Sequence, residues 1–263
     1  MQSGKDKQPT RVERITDFIQ NNRRALGVGA LVVTLAVIGS VVALVVADAM
    51  RGRAIASVEA LGDRYEDLRF YIFWGEEGEG EREIDELLGD LRSFARGRSG
   101  YAGGRAWSMI ASIYGARGQW ADAEDAWLAS ASAAPRSHLA PIAYFNAGAA
   151  AEEQGALLRA VEHYEESISN PAGFFAAHRA RFSVGRIQEA LGNYSAAIDA
   201  YREVIANWPH EQIWGNFARS RIIALETMQW RLAEPVVRPD PWALWDFDDF
   251  DFGDFDFDFD DWD

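Results

Sequence analysis

Beyond residue 48 the apolar positions recur at helical steps. Ile55, Val58, Leu61, Tyr65, Leu68 and Ile72 predict a helix over 49–73. The run Gly75-Glu-Glu-Gly-Glu-Gly80 breaks it, and Ile84, Leu87, Leu88, Leu91 and Phe94 predict a second helix over 81–97. A Gly- and Ser-rich loop follows, and then one block occurs three times. Its first copy holds Trp107, Ile110, Ala111 and Tyr114, then Gly118, Ala123, Trp127, Ser130 and Pro135. The second holds Tyr144, Ala147, Gly148 and Ala151, then Gly155, Ala160, Tyr164, Ser167 and Pro171. The third holds Arg181, Val184, Gly185 and Gln188, then Gly192, Ala197, Tyr201, Val204 and Pro209. The block glycines Gly118, Gly155 and Gly192 are 37 residues apart, and a fixed period of about 20–50 residues marks a stacked repeat. Each half carries the i, i+3, i+4, i+7 stripe of an amphipathic helix. Gly ends the first helix, where a left-handed residue is needed. Pro closes the second, since it cannot continue one. A last helix over 211–230 is predicted, with Ile213, Phe217, Ile222 and Leu225 facing inward.

These blocks resemble the tetratricopeptide repeat family. The matching residues are Trp107, Ile110, Ala111, Tyr114, Gly118, Ala123, Trp127 and Pro135 in the first copy. The second copy has Ala151 in place of the Tyr, and the third has Arg181 where a large apolar residue is usual. The resemblance covers about 105–210 and implies a solenoid of helix pairs whose first helices line a peptide-binding groove.

A different pattern precedes the helices. From Ala25 to Ala47 no residue is charged, and only Thr34 and Ser40 carry hydroxyls. At 1.5 Å per residue this run is about 34 Å long, enough to cross a hydrocarbon core of about 30 Å. Val12, Ile15, Phe18 and Ile19 give residues 11–24 the form of a short basic helix at the membrane surface. Lys5, Lys7, Arg11, Arg14, Arg23 and Arg24 crowd the near side of the span, which keeps the start of the chain in the cytoplasm. The rival to a retained anchor is a cleaved signal peptide ending at Ala47-Asp48-Ala49; the apolar run is longer than the roughly 7–15 residues such peptides use. The order Phe18, Asn22, Ala25-Leu26-Gly27-Val28-Gly29, one span and then repeat helices resembles the YfgM-type ancillary subunits of the bacterial Sec translocon. That resemblance implies an extracytoplasmic repeat domain that meets secreted clients.

Charge changes the picture at the far end. Glu234-Pro-Val-Val-Arg-Pro-Asp-Pro241 is a stiff linker. Residues 239–263 then hold eleven Asp and no Lys or Arg, with nine Trp or Phe among them. Such a segment is too acidic to bury a core alone and is read as a disordered binding segment that orders on a partner. In an extended form Phe255, Phe257 and Phe259 share one face and the Asp residues the other. Trp242, Trp245 and Trp262 add three larger anchors. The same segment has a second candidate target, the chain's own groove over Arg179, Arg186 and Arg219.

Candidate chemistry is sparse. The chain has no cysteine, so it holds no disulfide and no Cys-based metal or redox site. His138, His163, His178 and His210 are scattered, with no His-x-x-x-His pair and no Gly-rich phosphate loop. Glu152-Glu153 and Glu165-Glu166 are read as solvated helix charges. Asp249-Phe-Asp251-Phe-Gly253 places its Gly fifth and lacks the Glu of a calcium loop. The chain is therefore not expected to be an enzyme or to bind a cofactor, a metal or nucleic acid. The resemblance implies instead that Arg105, Ser108 and Ser112 project into the groove, with Phe145, Asn146 and Ala149 from the second copy. Arg179, Phe182 and Arg186 come from the third and Arg219 from the last helix. One mode of that family clamps a peptide's C-terminal carboxylate; Asn146 and Arg179 fit it and Ser108 and Ser112 do not.

The expected architecture is all-α. It comprises a basic cytoplasmic N-terminus (1–24), a transmembrane helix (25–47), membrane-proximal capping helices (48–100), three repeats (101–210), a capping helix (211–232), and a Pro linker with the Asp/Phe/Trp tail (233–263). The expected role is a membrane-anchored interaction module that binds proteins through groove and tail. As a scaffold or chaperone-like factor it would serve bacterial envelope protein biogenesis at the inner membrane. Its partners would be the Sec translocon or secreted chains. The alternative is a structural subunit with one stoichiometric partner held by the tail.

Overall fold

A computed structural model describes residues 11–75, 78 and 80–227, and every regular element among them is an α-helix. The chain divides into two compact units, Met1–Ala60 and Leu61–Asp263. Helix α1 runs from Arg11 to Trp74, so what the sequence divides into a basic helix, a span and an exit helix is one uninterrupted helix. No proline falls between residues 10 and 134, and glycine alone weakens a helix by only about 1 kcal/mol. Within the first unit the large apolar side chains from Leu26 to Val46 are exposed along the helix. Among the described residues α1 alone is long and apolar enough to cross a membrane.

The second unit is a stack of helix pairs. After α2 (Glu81–Ala95) come α3 (Tyr101–Ala116) with α4 (Trp120–Ala133), and α5 (Leu139–Glu153) with α6 (Leu157–Ser169). Helices α7 (Ala177–Ala190) and α8 (Tyr194–Asn207) form the third pair, and α9 (Gln212–Thr227) closes the described part. From α2 onward each helix packs on the next in sequence, while α3 also touches α5 and α7 also touches α9.

The turn inside each pair is the same device three times. Gly118, Gly155 and Gly192 have φ of 68°, 72° and 78°. The amide after each glycine reaches back to a carbonyl of the helix just ended: Gln119 to Tyr114 at 2.9 Å, Ala156 to Ala151 at 2.9 Å, Asn193 to Gln188 at 2.8 Å. This is the Schellman closure, and it requires a residue without a Cβ penalty in the left-handed region. Ala123, Ala160 and Ala197 are buried where the two helices of a pair cross.

Two expectations about facing are corrected. On α9 the buried residues are Gly215, Ala218 and Leu225, with Trp214 and Ile222 half-buried; Ile213 and Phe217 face outward. The stripe is turned from the expected one because small residues, not the apolar bulk of Ile213 or Phe217, let α9 approach α7 and α8. Glu152 is not a solvated charge: its carboxylate is 5% exposed and ion-paired with Arg186.

Candidate protein-interaction face

The first helices α5, α7 and α9 share a face, and two kinds of side chain meet along it. The first kind locks the pairs together. Tyr164 lies on Gly148, where an added Cβ would come within 2.9 Å of the ring. Its hydroxyl donates to Glu152 Oε2 at 2.8 Å, and Arg186 of the next unit pairs with the same carboxylate. Thirty-seven residues later the arrangement returns. Tyr201 lies on Gly185, its hydroxyl donates to Glu189 Oε2 at 3.1 Å, and Arg221 of α9 grips that carboxylate through Nε and Nη2. Burial, then the charge and hydrogen bond of the neighbouring carboxylate, push both tyrosine hydroxyls well above their ordinary value. Both remain neutral donors, and each guanidinium compensates a carboxylate that would otherwise be costly to bury.

Arg181, the departure from the repeat pattern, has a similar task. It pairs with Glu165 of α6 at 2.6 Å and with Glu203 of α8 at 3.0 Å. The first repeat is joined differently: Glu124 of α4 accepts from Gln154 at 2.6 Å and faces Arg159 at 2.8 Å and His163 at 2.9 Å.

The second kind of side chain forms a row that is exposed at its ends, Phe175 and Phe217, and half-buried between them. Phe175 meets Phe174 edge-on at 5.5 Å between ring centres, and Phe174 meets Phe145 at a tilt at 5.3 Å. The guanidinium of Arg179 then sits between Phe145 and Trp214, 5.6 Å from each ring. Trp214 continues to Phe217 at 6.0 Å. Phe175 is 81% exposed and Phe217 47%. Burial moves Arg179 below its ordinary value, yet a guanidinium remains charged in a protein. Its Nε is buried with no hydrogen-bond partner among the described residues. The row thus joins five aromatic rings around a stacked cation, a surface suited to an aromatic, anionic peptide.

The structure brings Phe145 and Arg179 together in this row and places Arg219 on α9, exposed, with a hydrogen bond to Asn216 at 2.7 Å. Asn146 is half-buried and makes no side-chain hydrogen bond among the described residues. Arg105 is half-buried on α3, away from the row. Two residues expected in the groove serve the fold. Phe182 is 1% exposed, packed under Tyr201, Trp214 and Phe217, because α9 supplies aromatic cover that a peptide would otherwise provide. Arg186 belongs to the Glu152 lock. Ser108 and Ser112 return hydrogen bonds to their own helix, and Ser108 also bonds Ser130 at 2.8 Å. Trp242, Trp245, Phe255, Phe257, Phe259 and Trp262 lie outside the described residues. Sequence reading missed Phe174, Phe175 and Trp214. Its one available signal was the 37-residue period against the roughly 34 residues usual for this repeat, a surplus that falls between units, where the two Phe residues lie.

Among the described residues there is no group of three or more His, Asp or Glu able to hold a metal ion. The profile of the tetratricopeptide repeat matches residues 108–173 and 175–211. A TPR repeat-containing protein of Treponema pallidum (strain Nichols) is 35% identical over 227 residues, covering 81% of this chain and 94% of that protein. The chain belongs to the tetratricopeptide repeat family. A crystal structure of nearly identical TPR-like repeats, described as from a Podosopora anserina kinesin light chain, matches 66% of this chain and 89% of that one. Its TM-score is 0.50 at 15% identity, a likeness of fold alone. As a tetratricopeptide repeat protein, this chain is a protein–protein interaction module of paired helices.

Proposed function

We propose that this tetratricopeptide repeat protein is anchored in a bacterial inner membrane by residues 25–47 and presents its repeats outside the cytoplasm. There it acts as a scaffold or chaperone-like factor for envelope proteins, in the neighbourhood of the Sec translocon. The observation that carries the reading is the row of Phe175, Phe174, Phe145, Arg179, Trp214 and Phe217, which runs from the α6–α7 loop over α5, α7 and α9 and is exposed at both ends. Exposed rings beside a cation with no carboxylate partner among the described residues suit a binding surface. The apolar run of α1 supports the anchor, the basic residues before it support the orientation, and the bacterial relative supports the setting.

The chain's lack of cysteine gives a direct test. Ala172→Cys places one thiol on the exposed loop beside the row. In spheroplasts, a membrane-impermeant thiol-linked photocrosslinker at that site is expected to capture many unfolded secreted chains, and Arg179→Glu is expected to abolish most of the yield. A single stoichiometric partner would support the structural-subunit reading instead. No labelling in intact spheroplasts would overturn the topology, and a yield unchanged by Arg179→Glu would overturn the row as the binding surface.

A further inference from the structure

The arginines of α6 to α9 fall into two groups. Arg159, Arg181, Arg186, Arg202 and Arg221 each have a carboxylate partner within the repeats. Arg179 and Arg219 have no carboxylate within ion-pair distance among the described residues; Arg179 lies in the aromatic row, and Arg219 is exposed elsewhere on α9 with a hydrogen bond to Asn216. A fold that pairs its other arginines here leaves these two for an outside anion. The rings flanking Arg179 say what else that anion must carry. A bare phosphate would leave Phe175, Phe217 and Ile213 exposed; an acidic segment with its own aromatic residues would cover them.

The same chain encodes such a segment. Residues 239–263 carry eleven Asp, nine aromatic residues and no Lys or Arg. We propose that residues 240–263 dock in cis on the row formed by Phe145, Arg179, Trp214 and Phe217, and that a partner must displace them. Reach permits it. Twelve residues separate Thr227, the end of α9, from Asp240, and at about 3.3 Å each they span up to roughly 40 Å. Trp214 lies near the other end of α9, about 20 Å back along the helix. A tether of that length holds the segment at an effective concentration of about a millimolar, so even a weak aromatic and ionic fit fills the site. Spacing also agrees: alternate residues of an extended strand lie roughly 6.6–6.8 Å apart, comparable with the ring-to-ring steps of the row. The inference rests on the row being the partner surface proposed above.

The test uses the full chain in lipid nanodiscs, with Ser220→Cys on exposed α9 and Gly253→Cys in the acidic segment, spin-labelled and diluted into unlabelled chain. A narrow short-distance population is expected by pulsed dipolar spectroscopy. It should be lost in Arg179→Glu with Arg219→Glu, and at 1 M salt, where the Debye length falls to about 3 Å. Asp254, Asp256, Asp258 and Asp260→Asn is the companion variant; it leaves the repeats untouched and should give the same loss. A broad distribution indifferent to these changes would overturn the proposal, as would a short distance that disappears on dilution and so belongs to a second copy's segment. Deleting 240–263 should raise crosslinking through Ala172→Cys on the order of tenfold. Crosslinking equal with and without the segment sinks only the docking; crosslinking absent from both sinks the binding surface itself.

Discussion

The first repeat and the two after it share a spacing and are joined by different forces. In the first, Ala111 and Gly115 stand where the later copies have Gly148 with Glu152 and Gly185 with Glu189, and Trp127 stands where they have Tyr164 and Tyr201. With no phenol hydroxyl to satisfy, that copy needs no acid at the position of Glu152 and Glu189; its buried Glu124 instead meets Gln154, Arg159 and His163 of the second copy. Its pair α3–α4 closes on small groups: Gly104 lies so near Ala134 that an added Cβ would come within 2.8 Å, and Ser130 donates to Gly104 O at 2.8 Å. In the later copies a tyrosine ring occupies the space of a missing Cβ. Its hydroxyl demands an acceptor, and the acceptor's charge demands an arginine from the next unit. One ring therefore links three helices. The difference shows that a repeat period fixes where helices turn, while the residue filling each gap decides where the joint places its buried acid and which side chains answer it.

The largest expected effect comes from breaking the ionic joint on one side only. Arg221→Ala leaves the Glu189 carboxylate, 1% exposed, without its cation. Orphaning a buried charge costs about 3–5 kcal/mol, so the urea midpoint of the full chain should fall sharply. Arg221→Met with Glu189→Leu should recover most of the loss, since a well-packed apolar pair of similar volume is often neutral or better. A double variant as unstable as the single one would mean that the joint depends on the Tyr201 hydrogen bond more than on charge balance.

A smaller effect separates the copies by shape. Gly185→Ala drives a methyl within 2.7 Å of Tyr201, and Gly148→Ala within 2.9 Å of Tyr164. Overpacking of this kind costs about 1–3 kcal/mol. The corresponding residue of the first copy is already Ala111, and its aromatic, Trp127, is half-buried rather than sealed. Ala111→Gly is therefore expected to cost only the helix propensity of glycine and one methyl of packing, about 1–2 kcal/mol. Unfolding curves of the three variants should rank Gly185→Ala with Gly148→Ala and place Ala111→Gly at or below them. Gly185→Ala with no loss would show that Tyr201 can slide, and the ring would not be the lock described.

Much of this fold was legible in the sequence. The three glycines at a 37-residue period named their own turns, and the structure puts each in the left-handed region. The joints were less legible for a physical reason. Glu152 and Glu189 look like surface acids in a one-dimensional stripe, since their partners are 12 and more than 30 residues away. Their signal was present but paired: Gly-x-x-x-Glu recurs with a Tyr twelve residues after the Glu. Phe182 was misjudged because a groove position is open only if the next helix leaves it open, and α9 does not. Phe174 and Phe175 were passed over because an insertion between repeats reads as slack, although here it delivers two rings to the row.

The smallest effect sharpens the comparison at the end of the stack, where histidine rather than tyrosine fills a gap. His178 of α7 lies between Trp208 and Trp214, 6.5 and 6.0 Å between ring centres, with Glu211 3.8 Å from its Nε2. Burial moves its pKa below the ordinary 6.5, helped by the neighbouring Arg179 and opposed by Glu211. The unfolded chain therefore takes up the proton first as pH falls. The stability contributed by neutral His178 is whole above pH 6.5 and declines as pH drops from there toward the lowered folded value. Thermal unfolding between pH 7.5 and 5.5 should show a downward slope in the full chain that His178→Gln flattens, while Trp127→Phe, in the first repeat, leaves the slope intact. An equal slope in His178→Gln would move the titration to another residue and leave the ionic joints, not this ring, as the pH-sensitive part of the stack.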